Sequence, residues 1–594
     1  MIATGSTGLR RDVEQRWVAL VLIAWLAVTA WFLHERWTAI RWLSLGDTDD
    51  NMRLMQVRAW LGGQGWYDLR QYRMNPPAGF DIHWSRIVDL PIAGLILFFR
   101  LFVSPSWAER LACGLAPLLP LSVVMLALAA TVRRLVAPIA WPLALIVLVS
   151  SCGATMLMFM PERIDHHNWQ LACLAVTVAG LSDPRQGRGG LQVGLASAVS
   201  LSIGLEMLPY AAMAGAIIAL RWIWTPGEAK RLAVYALTLG GGGGLGFLLF
   251  ASYANRVMRC DALTPVWLSV LVVAGALLLA MALWSPRSLA VRLGLAVLAG
   301  AVIAVGFALL FPQCLGRPEQ VSPELARNWL DNVREAKPLY KHPFRVAFPI
   351  ATLPVIGLIG ALVAAWRARR QPSAVGWTAV ALFTSFAVAM LAWQARAGPA
   401  AQMLAVPGAV ALAAMILPWL LNHRSPLVRV GGPVAAFVVL TGMFAGLAIK
   451  WLPIDRPSSY TRRVNAATGE CLRTSRLLTL NRVPAATVFT FVDLGPRLIT
   501  ITHHDAIAGP YHRNGDAILD VQHAFGRGPA EARAIMKRHG ATMLLVCPNM
   551  AEATIYRARN PGGFYDRLAH GATFDWLTPV PLVKGSPYRM FRIS

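Results

Sequence analysis

The sequence has 594 residues, of which 56% are hydrophobic and 14% charged, with a mean hydropathy of +0.51. That is too apolar for a soluble multidomain protein and points to a polytopic α-helical membrane protein. The formal charge of +25 does not point to nucleic acid, because the basic residues are mostly Arg scattered singly between apolar runs, as in the inner turns of membrane proteins.

Residues 1–16 are polar and carry Arg10, Arg11 and Arg16 ahead of the apolar run 17–33, which reads as a signal anchor with its amino terminus inside. Val28-Thr29-Ala30 would suit a cleavable signal peptide, but Trp31 and Phe32 carry the run past it and favour retention. An external segment, 34–110, follows. It holds Gly46-Asp47-Thr48-Asp49-Asp50-Asn51-Met52-Arg53, then Asn75-Pro76-Pro77 and Asp81-Ile82-His83-Trp84-Ser85-Arg86. Its apolar stretch 91–102 falls short of the roughly 20 residues a span needs and is expected to lie at the interface.

Spans are then expected at 111–134, 138–153, 169–181, a pair meeting at Glu206 and Pro209, 232–253, 266–284, 293–311, 346–366, 375–393, 400–421 and 430–451, about thirteen helices in all. Every second turn is basic: Arg133 and Arg134, Arg185 and Arg188, Lys230 and Arg231, Arg287 and Arg292, Arg367 to Arg370, Arg424 and Arg429. These mark the inner side and leave 161–168 and a long loop, 312–345, outside. Residues 452–594 have mixed polarity with strand-like runs at 488–492 and 542–546, which predicts a soluble α/β domain outside, periplasmic in a bacterial inner membrane. Gly240 to Gly244 lie inside an apolar run with no Lys-Ser/Thr after them, so they predict close helix packing rather than phosphate binding.

The outer segments carry the chemistry. Asp47, Asp49 and Asp50 repel one another unless a cation or basic ligand intervenes; a solvated helix start is the bland alternative. Asp165, His166 and His167, then Glu335, fall on the same side. Carboxylates with imidazole suit Mg²⁺ or Mn²⁺. Arg396, at an outer helix end, is either a lipid-phosphate contact or an interface anchor. Glu206 reads as an outer-turn residue before a partner for a loop cation. His503, His504, Asp505 and His512 are expected to be solvated before forming a second metal site. The runs themselves are nearly free of Asp, Glu and Lys, which argues against a transporter.

The motifs resemble the catalytic subunits of oligosaccharyltransferases, polytopic glycosyltransferases of the GT-C class. Asp47, Asn51 and Arg53 match the family pattern Asp-Pro-Tyr-Phe-Asn-Tyr-Arg of the first external loop, and Asp165-His166-His167 looks like the archaeal Asp-His-His. The stretch 332–338 is similar to Ser-Val-Ser-Glu-x-x-Pro in Val333, Glu335 and Pro338. The resemblance implies a metal held by Asp47, Asp165 and His167, with Asp49 as a further ligand candidate, and Glu335 near the acceptor. It implies catalytic roles for Asp47, Asp165 and Glu335, and a polyprenyl phosphate- or diphosphate-linked sugar or glycan as donor. Arg396, Asp50, Arg53, His83 and Asp493 are the expected lipid-phosphate or substrate contacts. The family's acceptor-reading Trp-Trp-Asp-Tyr-Gly is only echoed by Val492-Asp493-Leu494-Gly495, so a glycan or lipid acceptor is expected ahead of a protein. A metal-independent glycan polymerase or ligase is the rival.

Cys260 and Cys314 fall in two outer loops and Cys471 and Cys547 in the tail, so an oxidising compartment predicts both pairs bridged. Cys113, Cys152 and Cys173 read as small core residues.

Overall fold

The computed structural model describes residues 13–452 and 454–594; Arg10 and Arg11 of the expected inner flank lie outside them. Among the described residues nine helices are long and apolar enough to cross a membrane, from Trp17–Glu35 to Ala395–Leu421. The pair Pro426–Leu440 and Met443–Trp451 adds a tenth if counted as one span, bent by 85°. The other three expected spans are helices of a different kind. Trp141–Ser151 is 11 residues long, His167–Leu181 is 15, and Gln186–Ile203 is more polar. His167–Leu181 is buried along nearly its whole length, from Asn168 to Leu181. A helix packed against protein on all sides meets no lipid and needs no lipid-facing stripe.

Small residues let the bundle close. At the crossing of Ala229–Phe250 with Pro265–Trp284, a Cβ on Gly275 would stand 2.9 Å from the Ala236 carbonyl and 3.2 Å from Gly240 Cα. The expected packing role of the glycine run is therefore met at Gly240, while Gly241 and Gly244 face open space.

Beyond Trp451 lies a five-stranded mixed sheet flanked by short helices. With β1 (Arg70–Gln71) and β2 (Phe80–Asp81) forming a hairpin in the first outer segment, this sheet comprises β3 (Thr487–Phe489), β4 (Asp505–Ala506), β5 (Met543–Val546), β6 (Leu577–Val580) and β7 (Arg589–Ile593). Its order is β4-β3-β5-β7-β6. The first three strands are parallel, with Val488 opposite Met543, and the last two are antiparallel additions, with Leu545 opposite Met590. One hydrophobic core unites this unit with the first outer segment: Met52, Met74, Phe80, Ile82 and Trp84 pack in a single cluster with Phe489, Phe491, Leu498, Ile507 and Tyr511. Met74 also pairs with Ala506 through its backbone.

Covalent ties reinforce this arrangement. Cys260 is joined to Cys314 and Cys471 to Cys547, with Cα separations of 5.3 and 6.2 Å. Cys113 and Cys152 are buried.

At the opposite end of the bundle, arginines close the helix His167–Leu181. Arg134, Arg231 and Arg221 donate to the carbonyls of Ala179, Gly180 and Leu181, and Arg134 also pairs with Asp183 at 3.0 Å. Cations at a helix C-terminus satisfy its free carbonyls and oppose its dipole. This basic end lies across the bundle from the loops described next.

Candidate active site

The first acidic motif begins the helix Thr48–Leu61. Asp47 is its N-cap: one carboxylate oxygen accepts from the amides of Asp49 and Asp50, at 3.0 and 3.2 Å, and Asp50 returns the bond to the Asp47 amide at 3.0 Å. This reciprocal cap explains why Asp stands at both positions. The second loop comes to meet it. Arg163 donates to both Asp47 and Asp50, and the Asp165 amide donates to Asp50 at 2.9 Å. Gly46 makes the meeting possible, since a Cβ there would stand 2.5 Å from Arg163 Cδ and 2.6 Å from Asp50 Oδ2.

Asp165 is in turn held by the two imidazoles beside it, His166 at 2.6 Å and His167 at 3.4 Å. The far nitrogen of His166 lies 3.1 Å from Glu206, and Gln170 donates to the other Glu206 oxygen at 2.8 Å. Glu206 is thus the partner of a loop cation, not a plain outer-turn residue. Burial works to lower His166, but Asp165 and Glu206 outweigh it and push its pKa up to about 10. Burial works to raise Asp165, yet His166 and His167 hold it well below the usual carboxylate range. Asp49 and Asp50 move the other way. Burial raises both, and the charges of Asp165 and Asp47 add to it at Asp49, that of Asp47 at Asp50.

Behind this layer stands a second. Arg53 is 1% exposed, pairs with Asp89 at 2.9 Å, and lies 4.3 Å from the Trp84 ring. Arg53 and Asp50, expected to contact substrate, are both buried here, each enclosed by protein partners. His83 is half-buried beside Trp84 and His512, and burial followed by the His512 charge holds it well below its ordinary value. Glu162, with 1% exposure and positive φ, has both carboxylate oxygens without a hydrogen-bond partner, and nothing in its sequence surroundings singled it out.

The loop 312–345 brings Glu335 within 3.3 Å of Arg396, at the start of the last long helix; their side chains are 60% and 34% exposed. Glu335 also acts on Asp49, where its charge opposes ionisation. Asp493 is exposed at the end of the segment after β3, and the buried Glu552 fixes that turn by accepting from the amides of Val492 and Asp493 at 2.8 and 2.9 Å. The tail histidines do not gather. His503 and His504 donate to the carbonyls of Val483 and Leu480, Asp505 pairs with Arg73, and His512 with Asp261, so among the described residues these side chains form no metal-holding group.

Among the described residues no three His, Cys, Asp or Glu side chains stand close enough together to hold a metal ion as they are placed. The chemistry of the donor set nonetheless fits a divalent cation. Asp49 accepts no hydrogen bond and joins no ion pair among the described residues, and burial, Asp165 and Asp47 all disfavour its charge. With Asp165 and His167 it offers hard oxygen and imidazole donors whose repulsion a cation would relieve.

No protein-family profile matches this sequence, and no curated protein does either. The fold has clear relatives. The archaeal oligosaccharyltransferase AglB from Archaeoglobus fulgidus, solved with an inhibitory peptide and a dolichol-phosphate, superposes with a TM-score of 0.64 at 15% identity, covering 96% of this chain and 73% of that one. The Archaeoglobus fulgidus enzyme tethered to an acceptor peptide containing an NVT sequon gives 0.66 at 15% identity, covering 96% and 74%. Its complex with Zn and sulfate gives 0.59 at 14%, covering 90% and 68%. This chain therefore has the GT-C fold of the oligosaccharyltransferases.

Proposed function

We propose that this chain is a membrane glycosyltransferase that moves a sugar or glycan from a polyprenyl phosphate or diphosphate carrier to an acceptor. The observation that carries the reading is the junction at Asp165: two outer loops, 115 residues apart at the Asp50–Asp165 contact, assemble carboxylates and imidazoles on one face of a GT-C bundle. The relative's dolichol-phosphate and acceptor peptide support donor and acceptor classes of this kind.

Displacing a sugar from a lipid phosphate requires an oriented acceptor on one side of the sugar and neutralised charge on the departing phosphate. Arg396, half-exposed at the membrane's outer edge, is placed to pair with that phosphate, and Glu335 beside it borders the acceptor side. Asp165 is kept ionised by His166 and His167 and serves as a fixed anionic ligand. A divalent cation, Mg²⁺ or Mn²⁺, held by Asp49, Asp165 and His167 would supply the charge that stabilises the departing phosphate. The outer face is the trans side of the membrane, periplasmic in a bacterium, because the opposite bundle end carries the arginines. In the sheet domain, Phe491 and Val492 stand where the resemblance would place two Trp, which favours a glycan or lipid acceptor over a protein sequon.

The test is transfer by the purified protein from a polyprenyl diphosphate-linked glycan to lipid, glycan and sequon-peptide acceptors, with and without a chelator. Asp165→Asn should lower transfer by orders of magnitude per folded molecule, a loss read beside the lower unfolding temperature expected when its buried pairing with His166 is broken. Near-full transfer by that variant would remove the site. Full transfer by the wild type in the chelator would remove the cation and leave the glycosyltransferase reading.

A further inference from the structure

The helix Thr48–Leu61 is held from two directions. Its acidic side chains meet the second loop, where Asp47 and Asp50 take Arg163 and Asp50 accepts the Asp165 amide. Its main chain is taken by the sheet domain. Arg497 donates to the Leu45 carbonyl at 2.6 Å, Tyr511 to that of Thr48 at 2.8 Å and Thr500 to that of Asn51 at 3.2 Å. The three carbonyls recur at every third residue across the acidic motif, and all three donors are buried. Arg58, two turns further along the helix, returns a bond to the Thr500 carbonyl at 2.6 Å.

The two hydroxyl bonds are not needed to close the helix. The Thr48 and Asn51 carbonyls lie within Thr48–Leu61 and accept from the amide four residues on, and each carbonyl oxygen has a second lone pair for a hydroxyl. What Tyr511 and Thr500 fix is where the helix start stands. Tyr511 is itself held: its ring stacks on Phe80 with centroids 5.5 Å apart and meets Trp84 edge-on at 5.9 Å, and Trp84 lies 5.7 Å from the His166 ring. The hydroxyl therefore has a fixed aim. A displaced helix start would carry Asp50 away from the Asp165 amide, so the meeting of the two loops depends on a third element that belongs to neither.

We propose that Tyr511 is a positioning residue of the Asp165 junction: by holding the Thr48 carbonyl, with Thr500 and Arg497 beside it, the sheet domain completes the site formed by the two outer loops. That transfer takes place at this junction rests on the function proposed above; the grip on the helix start does not.

The experiment uses the full-length protein in detergent and Tyr511→Phe, which keeps the ring and removes only the hydroxyl. Transfer from a polyprenyl diphosphate-linked glycan is read beside hydrogen exchange of the peptides covering 45–55, followed by mass spectrometry. Exchange at the helix start should quicken by about threefold to tenfold, the loss of one net hydrogen bond, while Gly398–Leu421 exchanges as before. Per folded molecule, kcat should fall by about 10- to 100-fold, the range expected when a site is misplaced by up to about 1 Å, with KM for the lipid donor unchanged. Thr500→Val drops the bonds to Asn51 and Pro496, should act in the same direction, and decides the matter if Tyr511→Phe does not fold. A merely structural Tyr511 would lower the unfolding temperature and leave kcat per folded molecule intact, which overturns the proposal. So does a fall in kcat with exchange at 45–55 unaltered, because Tyr511 would then act elsewhere. A wild type that transfers to no acceptor removes the function of the preceding subsection; exchange then decides the grip by itself, equal rates in wild type and Tyr511→Phe refuting it.

Discussion

Arg513 in the sheet domain grips Asp261 in the outer loop after the Ala229–Phe250 helix through a two-pronged pair, Nε at 2.7 Å and an Nη at 2.8 Å. His512 adds a third contact at 2.6 Å, and all three side chains are nearly buried. Burial works to raise Asp261, but its hydrogen bonds from Arg513 and His512 hold it well below the usual carboxylate range. A depressed carboxyl contributes stability that is complete above its unfolded pKa, near 4, and is lost as pH falls below that. The sheet domain should therefore loosen from the bundle below about pH 4. Asp261→Asn should show the same loosening at pH 7, at a cost on the order of 3 to 5 kcal/mol for breaking a buried pair. Limited proteolysis of the outer loops at both pH values reads this; equal protection in wild type and variant at pH 7 would refute it.

Gly46→Ala is expected to be disproportionately harmful for one methyl group. Its Cβ would overlap Arg163 Cδ and Asp50 Oδ2, so the second loop must move away from the first. We expect a loss of about 1 to 3 kcal/mol, typical of overpacking, and transfer activity reduced further than stability alone explains. Thermal unfolding paired with a transfer assay distinguishes the two.

The disulfides close loops of 54 and 76 residues. Chain entropy assigns each about 4 kcal/mol of stabilisation in the unfolded-state model. Cys471→Ser with Cys547→Ser should lower the unfolding temperature of the sheet domain. Opening Cys260–Cys314 should free the loop that carries Asp261 and expose it to protease. Four free thiols in native protein alkylated before lysis would show that neither bridge forms.

Arg396 and Glu335 should separate in their effects. Loss of a charge-assisted hydrogen bond to the donor phosphate costs about 1.5 to 3 kcal/mol, so Arg396→Ala should lower kcat/KM for the lipid donor by roughly 10- to 150-fold. Glu335→Gln should leave unfolding unchanged, since a pair this exposed is worth about 1 kcal/mol or less. Unaltered donor kinetics in Arg396→Ala would return that residue to an interface anchor.

A reporter joined after Ser594 should be active only on the trans side. Activity in the cytoplasm would invert the whole register and place the Asp165 junction on the wrong face.

The sequence by itself determined the membrane class, the order of most spans and which loops share a side. A bilayer imposes its demand locally, so apolar runs and basic turns can be read residue by residue. It placed Asp49, Asp165, His167, Glu335 and Arg396 on one face for the same reason. Only the tertiary structure decided which side chains touch one another there. Glu206 became the partner of His166 and Arg53 retreated behind Trp84 because contacts between residues 40 and 113 positions apart fix them, and no local pattern encodes such contacts. The helix His167–Leu181 shows the same limit from the other side: being enclosed by protein, it carries no membrane signature strong enough to mark its length or depth. Of Asp47, Asp49 and Asp50 the sequence put Asp47 first as a ligand, with Asp49 as a further candidate. That Arg163, arriving from the next loop, pairs with Asp47 and Asp50 no local pattern could show.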